Sequence, residues 1–398
     1  MKSTWLLITG ILYLFALEIL RVYFIMPFPG SQYGNTIGIA YFLNTNITWL
    51  RLLGFAVILP SLWHFIRNKK RLSNIALAIF LVLYGVVFYL FNFRFLADKM
   101  FYQPREKLFL SGLQDTSHLN SLVIGVALGS QAKAYPVEII GYHHQVKDTI
   151  DRQPIMVTYC TVCRTGRVYS PFVDGKYEEF RLVGMDHFNA MFEDAGTKSW
   201  WQQATGIAIA GSLKGKQLRE VPSAQMRLGD WLALHPNSMV LQPDTHFLAK
   251  YDSLKGYDEG TIAGKLEHRD TASWKFKSWV IGLQFQGVTR AYDWNMLVKK
   301  RVLQDHINGI PILITLEPNG QSFYVFSHAD SLHFTYDSVQ HLIRETGTQA
   351  CWTPRGVRLG DTLANRGGPN PLTLQPLQAY QEFWHSWQTF HPNTTRFQ

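Results

Sequence analysis

Charged residues are scarce in this chain, and it contains only three cysteines. Charged residues make up 17% of the 398 positions, which is low for a purely soluble protein. The shortage is concentrated in the first hundred residues, which are mostly apolar, whereas the rest has an ordinary globular composition rich in aromatic residues. No glycine-rich phosphate loop, dinucleotide-binding fingerprint or convincing Ser-His-Asp arrangement is present. Sequence motifs therefore give no support to a nucleotide-dependent enzyme or a serine hydrolase.

The apolar N-terminal part contains three runs that are each long enough to cross a membrane. They cover residues 5–26, 47–66 and 75–93, and a bilayer core requires about 20 apolar residues. Glu18 and Arg21 interrupt the first run, three positions apart on one helix face, where they are expected to pair or to extend toward the interface. The first run is too long and too interrupted for a cleaved signal peptide. We therefore predict a membrane anchor of three helices.

The distribution of lysine and arginine predicts the orientation of this anchor. Residues 28–47, between the first two runs, contain no lysine or arginine. The next loop carries four basic residues, Arg67, Lys69, Lys70 and Arg71. The positive-inside rule places this basic loop in the cytoplasm, so residues from about 100 onward are expected outside it. The prediction is a bacterial inner-membrane protein with a large periplasmic C-terminal domain. The membrane is its one predicted partner, and no nucleic acid is expected.

The C-terminal part of the sequence repeats itself. Pairs of matching residues are separated by 157 positions (292 − 135 = 157). They include Gly125 with Gly282, Tyr135 with Tyr292, Asp148 with Asp305, and Ser170 with Ser327. The later motif Trp231-x-x-x-His235-Pro236-Asn237 resembles Trp387-x-x-x-His391-Pro392-Asn393 at a slightly smaller offset. A repeat of this length indicates duplicated domains. We predict an anchor at 1–99, a first repeat at 100–260 and a degenerate second repeat at 261–398.

Within each repeat, short runs of β-branched and aromatic residues alternate with turn residues, which is typical of strands. Strands are predicted at 121–128, 153–160, 166–172 and 179–185. Short helices are predicted at 137–142 and 228–234, the second beginning near Ser223 as a candidate N-cap. The predicted fold class is therefore α+β and β-rich, with tandem duplicated extracytoplasmic units preceded by three transmembrane helices.

The first repeat contains the motif Cys160-Thr161-Val162-Cys163 between two predicted strands. At a hairpin tip such a pair can direct both sulfur atoms at one metal ion, whereas a thioredoxin-type motif begins a helix. His144 precedes the neighbouring strand and is the predicted third ligand. Two cysteines and a histidine suit copper or zinc. The cofactor predicted from this pattern is a transition metal, copper or zinc. The pattern allows an associated redox activity and does not require one.

Other residues are candidates for supporting roles at this site. Additional ligands are sought among His143, Met185 and His187, while Arg164 is expected to stabilise a thiolate. Asp148 is interpreted as a hydrogen-bonding residue near the site, because it is also present in the second repeat. The second repeat has Glu317, Gly320 and Arg301 in place of Cys160, Cys163 and His144. The joint absence of the three candidate ligands indicates that they act together at one site in the first repeat.

Two alternative functions remain open at this stage. The cysteine pair suits a metal-free thiol–disulfide oxidoreductase, and a disulfide is an expected form of such a pair outside the cytoplasm. The other alternative is a non-enzymatic envelope binding or scaffold module, in which aromatic clefts hold a ligand. One of Trp200 and Trp201 is expected to fill the core, and the other is a candidate for lining such a cleft. Cys351 stands where the first repeat has Trp200, so it is expected to be a small buried residue.

The motifs also resemble a widespread prokaryotic family that is catalogued only as a domain of unknown function. The family signature is a His-Glu stretch ending in Asp, then Thr-Tyr-Cys-Pro-x-Cys-Gly-Thr, then Ser-x-Trp-x-Gln. The corresponding stretches here are 144–148, 158–165 and 199–203. Thr161, Arg164 and Gln145 replace the expected proline, glycine and acidic residue. The resemblance implies a site at the two cysteines and the histidine, and it implies no established activity.

Overall fold

The computed structural model describes residues 2–68, 71–115, 118–348, 350–359 and 373–398. Lys69 and Lys70 of the predicted cytoplasmic loop lie outside the described residues. The long helices are α1 (Lys2–Tyr23), α2 (Ile37–Asn68) and α3 (Arg71–Phe93), followed by the short α4 (Ala97–Met100).

Three helices are long and apolar enough to cross a membrane, as the sequence predicts. The qualifying spans are Thr4–Tyr23, Ile37–Arg67 and Asn74–Phe93. Helix α2 has 32 residues and therefore measures about 48 Å, which exceeds the ~30 Å of a hydrocarbon core. It includes Pro60, a residue that membrane helices tolerate better than soluble ones do.

Polar side chains connect the three long helices to one another. The Glu18 carboxylate accepts hydrogen bonds from Arg51 Nε at 2.6 Å and Arg51 Nη2 at 2.7 Å. Asn92 Nδ2 donates to the same carboxylate at 2.9 Å. Arg21 instead donates to Asn92 Oδ1 at 2.6 Å. The predicted direct pair between Glu18 and Arg21 is therefore replaced by a pair between helices, since Arg51 on α2 supplies a bidentate partner.

Residues 1–102 and 172–218 form one compact unit. Its second segment begins with a small hairpin formed by β7 (Phe172–Val173) and β8 (Lys176–Tyr177). The strands that follow are β9 (Phe180–Asp186), β10 (Asn189–Asp194), β11 (Trp200–Gln202) and β12 (Ala208–Ala210). They form one sheet in the order β12-β11-β10-β9. The connection between α1 and α2 lies against β9, because Met185 N donates to Ile25 O at 2.7 Å. A Cβ at Gly184 would stand 2.3 Å from the same carbonyl oxygen, so this close approach requires glycine.

Residues 103–171 and 219–398 form the second compact unit, which contains most of both repeats. Elements of the first repeat here are β1 (Phe109–Ser111), β2 (Leu122–Leu128), β3 (Gln131–Pro136), α5 (Val137–His143), β4 (Gln145–Ile150), β5 (Gln153–Cys160), β6 (Thr165–Tyr169), β13 (Ala224–Arg227), α6 (Leu228–Leu234) and β14 (Met239–Leu241). A connecting segment contains α7 (Leu248–Tyr251) between 3-10 turns at Thr245–Phe247 and Asp252–Leu254.

The second repeat has matching elements in the same order. They are β15 (Trp279–Phe285), β16 (Val288–Asp293), α8 (Trp294–Lys300), β17 (Val302–Ile307), β18 (Ile310–Leu316), β19 (Phe323–Ser327), β20 (Phe334–Asp337), β21 (Leu342–Glu345), β22 (Cys351–Trp352), β23 (Gln375–Pro376), β24 (Ala379–Phe383), α9 (Trp384–Phe390) and β25 (Thr395–Arg396). Both copies place a three-stranded meander beside a second sheet, as β4-β5-β6 and as β17-β18-β19 with β23 at its edge. The β-rich α+β duplication predicted from the sequence is confirmed.

The shared residues of the repeats have matching structural roles. Tyr135 Oη donates to Asp148 at 2.7 Å, and Tyr292 Oη donates to Asp305 at 2.8 Å. Asp148 is thus a hydrogen-bonding residue of the fold, in agreement with its interpretation as one. Helices α6 and α9 both end at the His-Pro-Asn motif, with His235 and His391 as C-caps.

The predicted start of the 228–234 helix near Ser223 is wrong. The next four residues form strand β13, which pairs with β2, and α6 begins at Leu228. Pairing with a neighbouring strand satisfies the backbone N–H and C=O groups here, so the preference of serine for helix N-caps does not decide the local structure.

Candidate functional site

The two cysteines of the Cys-x-x-Cys motif lie at the tip of a β-hairpin, as expected from the flanking strand patterns. Strands β5 and β6 pair in antiparallel register up to Cys160 and Thr165. The turn is closed by a hydrogen bond from Cys163 N to Cys160 O at 3.3 Å. Arg164 adopts a left-handed backbone conformation with φ of 55°. This turn differs from the helical start of a thioredoxin-type motif.

Both cysteine side chains are completely buried, with 0% exposure, and both are thiols. The Cys163 thiol is hydrogen bonded to the side chains of Cys160 and Ser386. Burial raises the pKa of the Cys163 thiol well above its usual value, and its interaction with Cys160 acts in the same direction. The two sulfur atoms therefore form one buried dithiol, and its Cys163 thiol is protonated at neutral pH.

The second repeat supplies the polar groups that surround this dithiol. Lys277 Nζ donates to Val162 O, between the two cysteines, at 2.7 Å. His385 Nε2 lies 3.2 Å from the same carbonyl oxygen, and Phe383 N donates to Cys163 O at 3.0 Å. The degenerate copy thus completes the environment of a motif that only the first copy carries.

Lys277 is a buried cation beside the dithiol. It is 5% exposed, and its charge acts on both cysteines. Burial lowers the pKa of the Lys277 ammonium, while the cysteines oppose this effect. The same charge favours the thiolate form of Cys163, against the larger effect of burial.

Arg164 anchors the hairpin to the second repeat. Its Nε donates to Gln381 Oε1 at 2.9 Å, and its guanidinium lies 3.8 Å from the ring centroid of Trp279. Further hydrogen bonds reach the carbonyl oxygens of Tyr257 and Asp258 at 3.2 and 3.3 Å. These contacts give Arg164 a positioning role, while Lys277 provides the charge that acts on the cysteines.

His144 occupies the left-handed residue that ends helix α5, with φ of 58°. Its Nδ1 lies 2.9 Å from Tyr159 O, and Tyr159 N donates to His144 O at 3.1 Å. Burial lowers the pKa of His144 to about 4. The preceding His143 is also buried, and its Nε2 lies 2.7 Å from Tyr251 Oη. Both histidines therefore contribute hydrogen bonds to the packing around α5.

Among the described residues, no three or more His, Cys, Asp or Glu side chains converge as metal ligands would. The predicted site of Cys160, Cys163 and His144 is thus not assembled as a three-ligand cluster. Met185 and His187 belong to the other compact unit, where Asp186 holds His187 Nδ1 at 2.6 Å and raises the pKa of that imidazole.

Two further predictions for individual residues need correction. Trp200 and Trp201 are both 1% exposed, and their indole nitrogens donate to Glu193 at 3.0 Å and Asp194 at 2.9 Å. Both rings fill the interior of their unit, so neither lines an aromatic cleft. Cys351 is only half-buried, and Arg344 donates to its sulfur at 3.5 Å. It lies on the short strand β22, where the side chain is incompletely covered.

Comparison with known families gives one result. A family model described as a protein of unknown function, DUF3179, matches residues 111–394. The chain belongs to this family. No curated protein and no solved structure matches the chain. The DUF3179 match confirms the resemblance drawn from the motifs, and it covers both repeats, including the copy that lacks the cysteines.

Sequence reasoning missed the residues of the second repeat that contact the DUF3179 dithiol. Comparison of the two copies contains a signal for two of them. His385 and Ser386 stand where the first repeat has Gly229 and Asp230, at an offset of 156 (387 − 231 = 156). A search for positions peculiar to the second copy, and not only to the first, would have identified them.

Proposed function

We propose that this DUF3179 protein is a membrane-anchored copper protein, in which the thiolates of Cys160 and Cys163 bind one copper(I) ion. The observation that carries the proposal is a buried dithiol beside a buried lysine, Lys277, whose charge acts on both cysteines. The proposal keeps the two cysteines as ligands and leaves His144 in its hydrogen bond to the backbone.

Copper(I) fits this site better than zinc for two reasons. Thiolates are soft ligands that select copper(I), and this ion is satisfied by two of them in a linear arrangement. Zinc requires about four ligands, and the part of the chain that the structure describes offers no cluster of three. A site with two cysteines therefore favours the ion with the lower coordination number.

The charges of the site also balance with copper(I). Two thiolates and one monovalent copper ion carry a net charge of −1, which the Lys277 ammonium neutralises. Binding replaces two thiol protons by one copper ion, so two protons are released to solvent. Because burial raises the pKa of Cys163, copper affinity is expected to increase with pH through the neutral range.

Thiol–disulfide exchange with another protein is less well supported. Exchange requires a thiolate that reaches the sulfur atom of its partner. Both sulfur atoms here are fully buried, and the pKa of Cys163 is raised. A small ion meets this access requirement more easily than a protein disulfide does.

The experiment is a competition titration of the full-length protein in detergent with copper(I) under anaerobic conditions, against a chromophoric copper(I) chelator. We expect one copper(I) per chain for the wild type and none for Cys160→Ser or Cys163→Ser. Cys351→Ser is the matched control, because it removes the third thiol and leaves the hairpin unchanged. Zinc titrated in the same way should bind with less than about a hundredth of the copper affinity.

The proposal fails if the wild type binds no copper(I), or if Cys160→Ser binds it as well as Cys351→Ser does. A stoichiometric disulfide that forms rapidly with a small-molecule disulfide, in protein that binds no copper, would support the oxidoreductase alternative.

The predicted location, with the copper site on the periplasmic side of a bacterial inner membrane, is part of the proposal. It is supported by the four basic residues in and beside the α2–α3 loop. Reporter fusions after residue 72 and after residue 398 test it, and we expect them on opposite sides of the membrane. Reporters on one side would overturn the predicted orientation without affecting the copper titration.

A further inference from the structure

A groove of about 720 Å³ lies in the second compact unit, between strands of the two repeats. Its volume is within the range of pockets that hold small organic molecules. Five aromatic side chains line it, Trp231, Phe323, Tyr324, Phe326 and Tyr380. Neither the proposed copper site nor any prediction from the sequence accounts for this groove.

Among the described residues that line the groove, one carries a carboxylate. Glu220 lines the groove, and its side chain is 34% exposed. The nearby Arg167 is buried and pairs with Glu382 at 2.5 Å, whereas its distance to Glu220 is 3.7 Å. One guanidinium therefore faces two carboxylates, and the surplus negative charge belongs to Glu220, the more exposed of the two.

The described wall of the groove carries no positive charge of its own. The described lining residues include no lysine and no arginine. His235 lines the groove and lies against the Trp231 ring at 4.1 Å between centroids, and burial lowers the pKa of this imidazole. It is therefore neutral at physiological pH. The Arg167 guanidinium lies on the Tyr380 ring at 3.3 Å from the centroid, and it is absent from the lining.

We propose that this groove binds an organic cation with an apolar body, of the quaternary ammonium class. Aromatic faces attract such cations through their quadrupoles, and the Glu220 carboxylate supplies the opposite charge. Phosphorylated and carboxylate ligands are disfavoured, because they would face Glu220 and the described lining offers no lysine or arginine to pair with them. The site goes beyond the proposed copper binding and does not depend on it.

One hydrogen-bonded chain connects the groove with the cysteine hairpin. Gln225 lines the groove and donates through Nε2 to Gln381 Oε1 at 3.2 Å. The same oxygen accepts from Arg164 Nε at 2.9 Å, and Arg164 follows Cys163 directly. Ligand binding in the groove is therefore expected to affect the position of the turn that carries the dithiol.

The test compares a cation with its neutral isostere. Isothermal titration of the full-length protein in a non-ionic detergent uses choline and 3,3-dimethylbutan-1-ol, which share size and shape and differ in charge. We expect choline to bind about tenfold more tightly, and Glu220→Gln to remove this preference. Glu106→Gln is the control, since it removes an exposed carboxylate elsewhere in the same unit. Raised salt should weaken choline binding and leave the alcohol unaffected.

A steric variant separates binding in the groove from binding elsewhere. Ala224 lines the groove, and Ala224→Trp should abolish binding of both probes while a melting curve shows that the domain remains folded. Equal affinity for the two probes, no binding of choline, or choline binding that survives Ala224→Trp would each overturn the proposal.

Discussion

Gln225 and Gln381 form a hydrogen bond of 3.2 Å although they occupy the same position in the two repeats. Their separation is 156 residues (381 − 225 = 156), which is the offset of Trp231 and Trp387. A residue contacts its own counterpart only near a two-fold axis. The two repeats are therefore arranged about a pseudo-two-fold axis that passes close to this pair of glutamines.

The contacts of Gln381 depart from this pseudo-two-fold symmetry. Gln381 Oε1 also accepts from Arg164 Nε at 2.9 Å, while the counterpart of Arg164 is Gln321 (164 + 157 = 321). Only the first repeat sends a charged side chain from its hairpin to the axis. The turn at 317–320 contacts the opposite repeat through a neutral side chain instead, because Asn319 Nδ2 donates to Asp230 Oδ2 at 2.6 Å.

Lys277 is predicted to control the copper affinity of the dithiol. Lys277→Gln removes the charge that neutralises a copper bis-thiolate, so we expect copper(I) affinity to fall by about tenfold or more. The pKa of the Cys163 thiol should rise further, because the cation that opposes the effect of burial is absent. Chelator competition between pH 6 and 9 measures both effects.

Two variants make this prediction specific. Lys277→Arg keeps the charge and should retain most of the affinity. Lys275→Gln removes an exposed lysine two residues away and should leave the affinity unchanged. Equal losses in Lys275→Gln and Lys277→Gln would show that the effect is not local to the dithiol.

Two glycines are predicted to be essential for the packing of the repeats. A Cβ at Gly125 would lie 2.3 Å from the Trp231 ring, and one at Gly282 would lie 2.1 Å from the Trp387 ring. Each alanine variant forces a buried indole to move, so we expect a loss of about 1–3 kcal/mol in the free energy of unfolding. Thermal unfolding followed by tryptophan fluorescence measures it.

Gly229→Ala is the control for the glycine variants. Gly229 lies in helix α6, and a Cβ there would meet Leu119 at ordinary contact distances of 3.4 and 3.5 Å. Alanine in a helix is more favourable than glycine by about 1 kcal/mol, so this variant should be neutral or stabilising. Comparable destabilisation by all three substitutions would contradict the proposed role of the two indole contacts.

The sequence was informative wherever local pattern decides the structure. Apolar length identifies the three helices that are long enough to cross a membrane. The repeat spacing predicts two copies whose elements agree almost residue for residue, as in α5 and α8. It was uninformative about contacts between distant residues. Lys277 is 115 positions from the carbonyl it contacts, and neither periodicity nor propensity encodes that distance. The spacing of the sequence also does not encode the contact of His144, whose Nδ1 lies 2.9 Å from Tyr159 O.

Acid is predicted to destabilise the domain through buried neutral histidines. Burial lowers the pKa of His144 from 6.5 to about 4, so the unfolded chain binds more protons than the folded one between these pH values. The stabilisation is complete above about pH 6.5 and is lost as the pH falls toward 4. The shift corresponds to about 3 kcal/mol at most. Melting temperatures measured from pH 4 to 8 should therefore decrease below pH 6.5.

His144→Asn isolates this contribution. Asparagine tolerates the left-handed conformation at this position and does not titrate, so the decrease below pH 6.5 should become shallower. His333→Asn, at an exposed position, should retain the wild-type pH dependence. The assignment is wrong if the two variants have the same pH profile.

Glu18 and Arg51 are predicted to hold the helix bundle together. The carboxylate of Glu18 is fully buried and receives two hydrogen bonds from Arg51, at 2.6 and 2.7 Å. Arg51→Leu leaves this charge without its bidentate partner, and removal of one member of a buried pair costs about 3–5 kcal/mol. We expect a marked decrease in the melting temperature of the detergent-solubilised protein and in its accumulation in membranes.

The double variant Glu18→Leu with Arg51→Leu distinguishes a broken pair from a lost side chain. Replacing both charges by apolar groups removes the uncompensated carboxylate, so the double variant should be more stable than Arg51→Leu alone. Arg67→Leu serves as the control, because Arg67 lies against Trp63 at the far end of α2 and has no part in the Glu18 network. If the double variant is at least as unstable as Arg51→Leu, the stabilising role belongs to the Arg51 side chain itself and not to its pairing with Glu18.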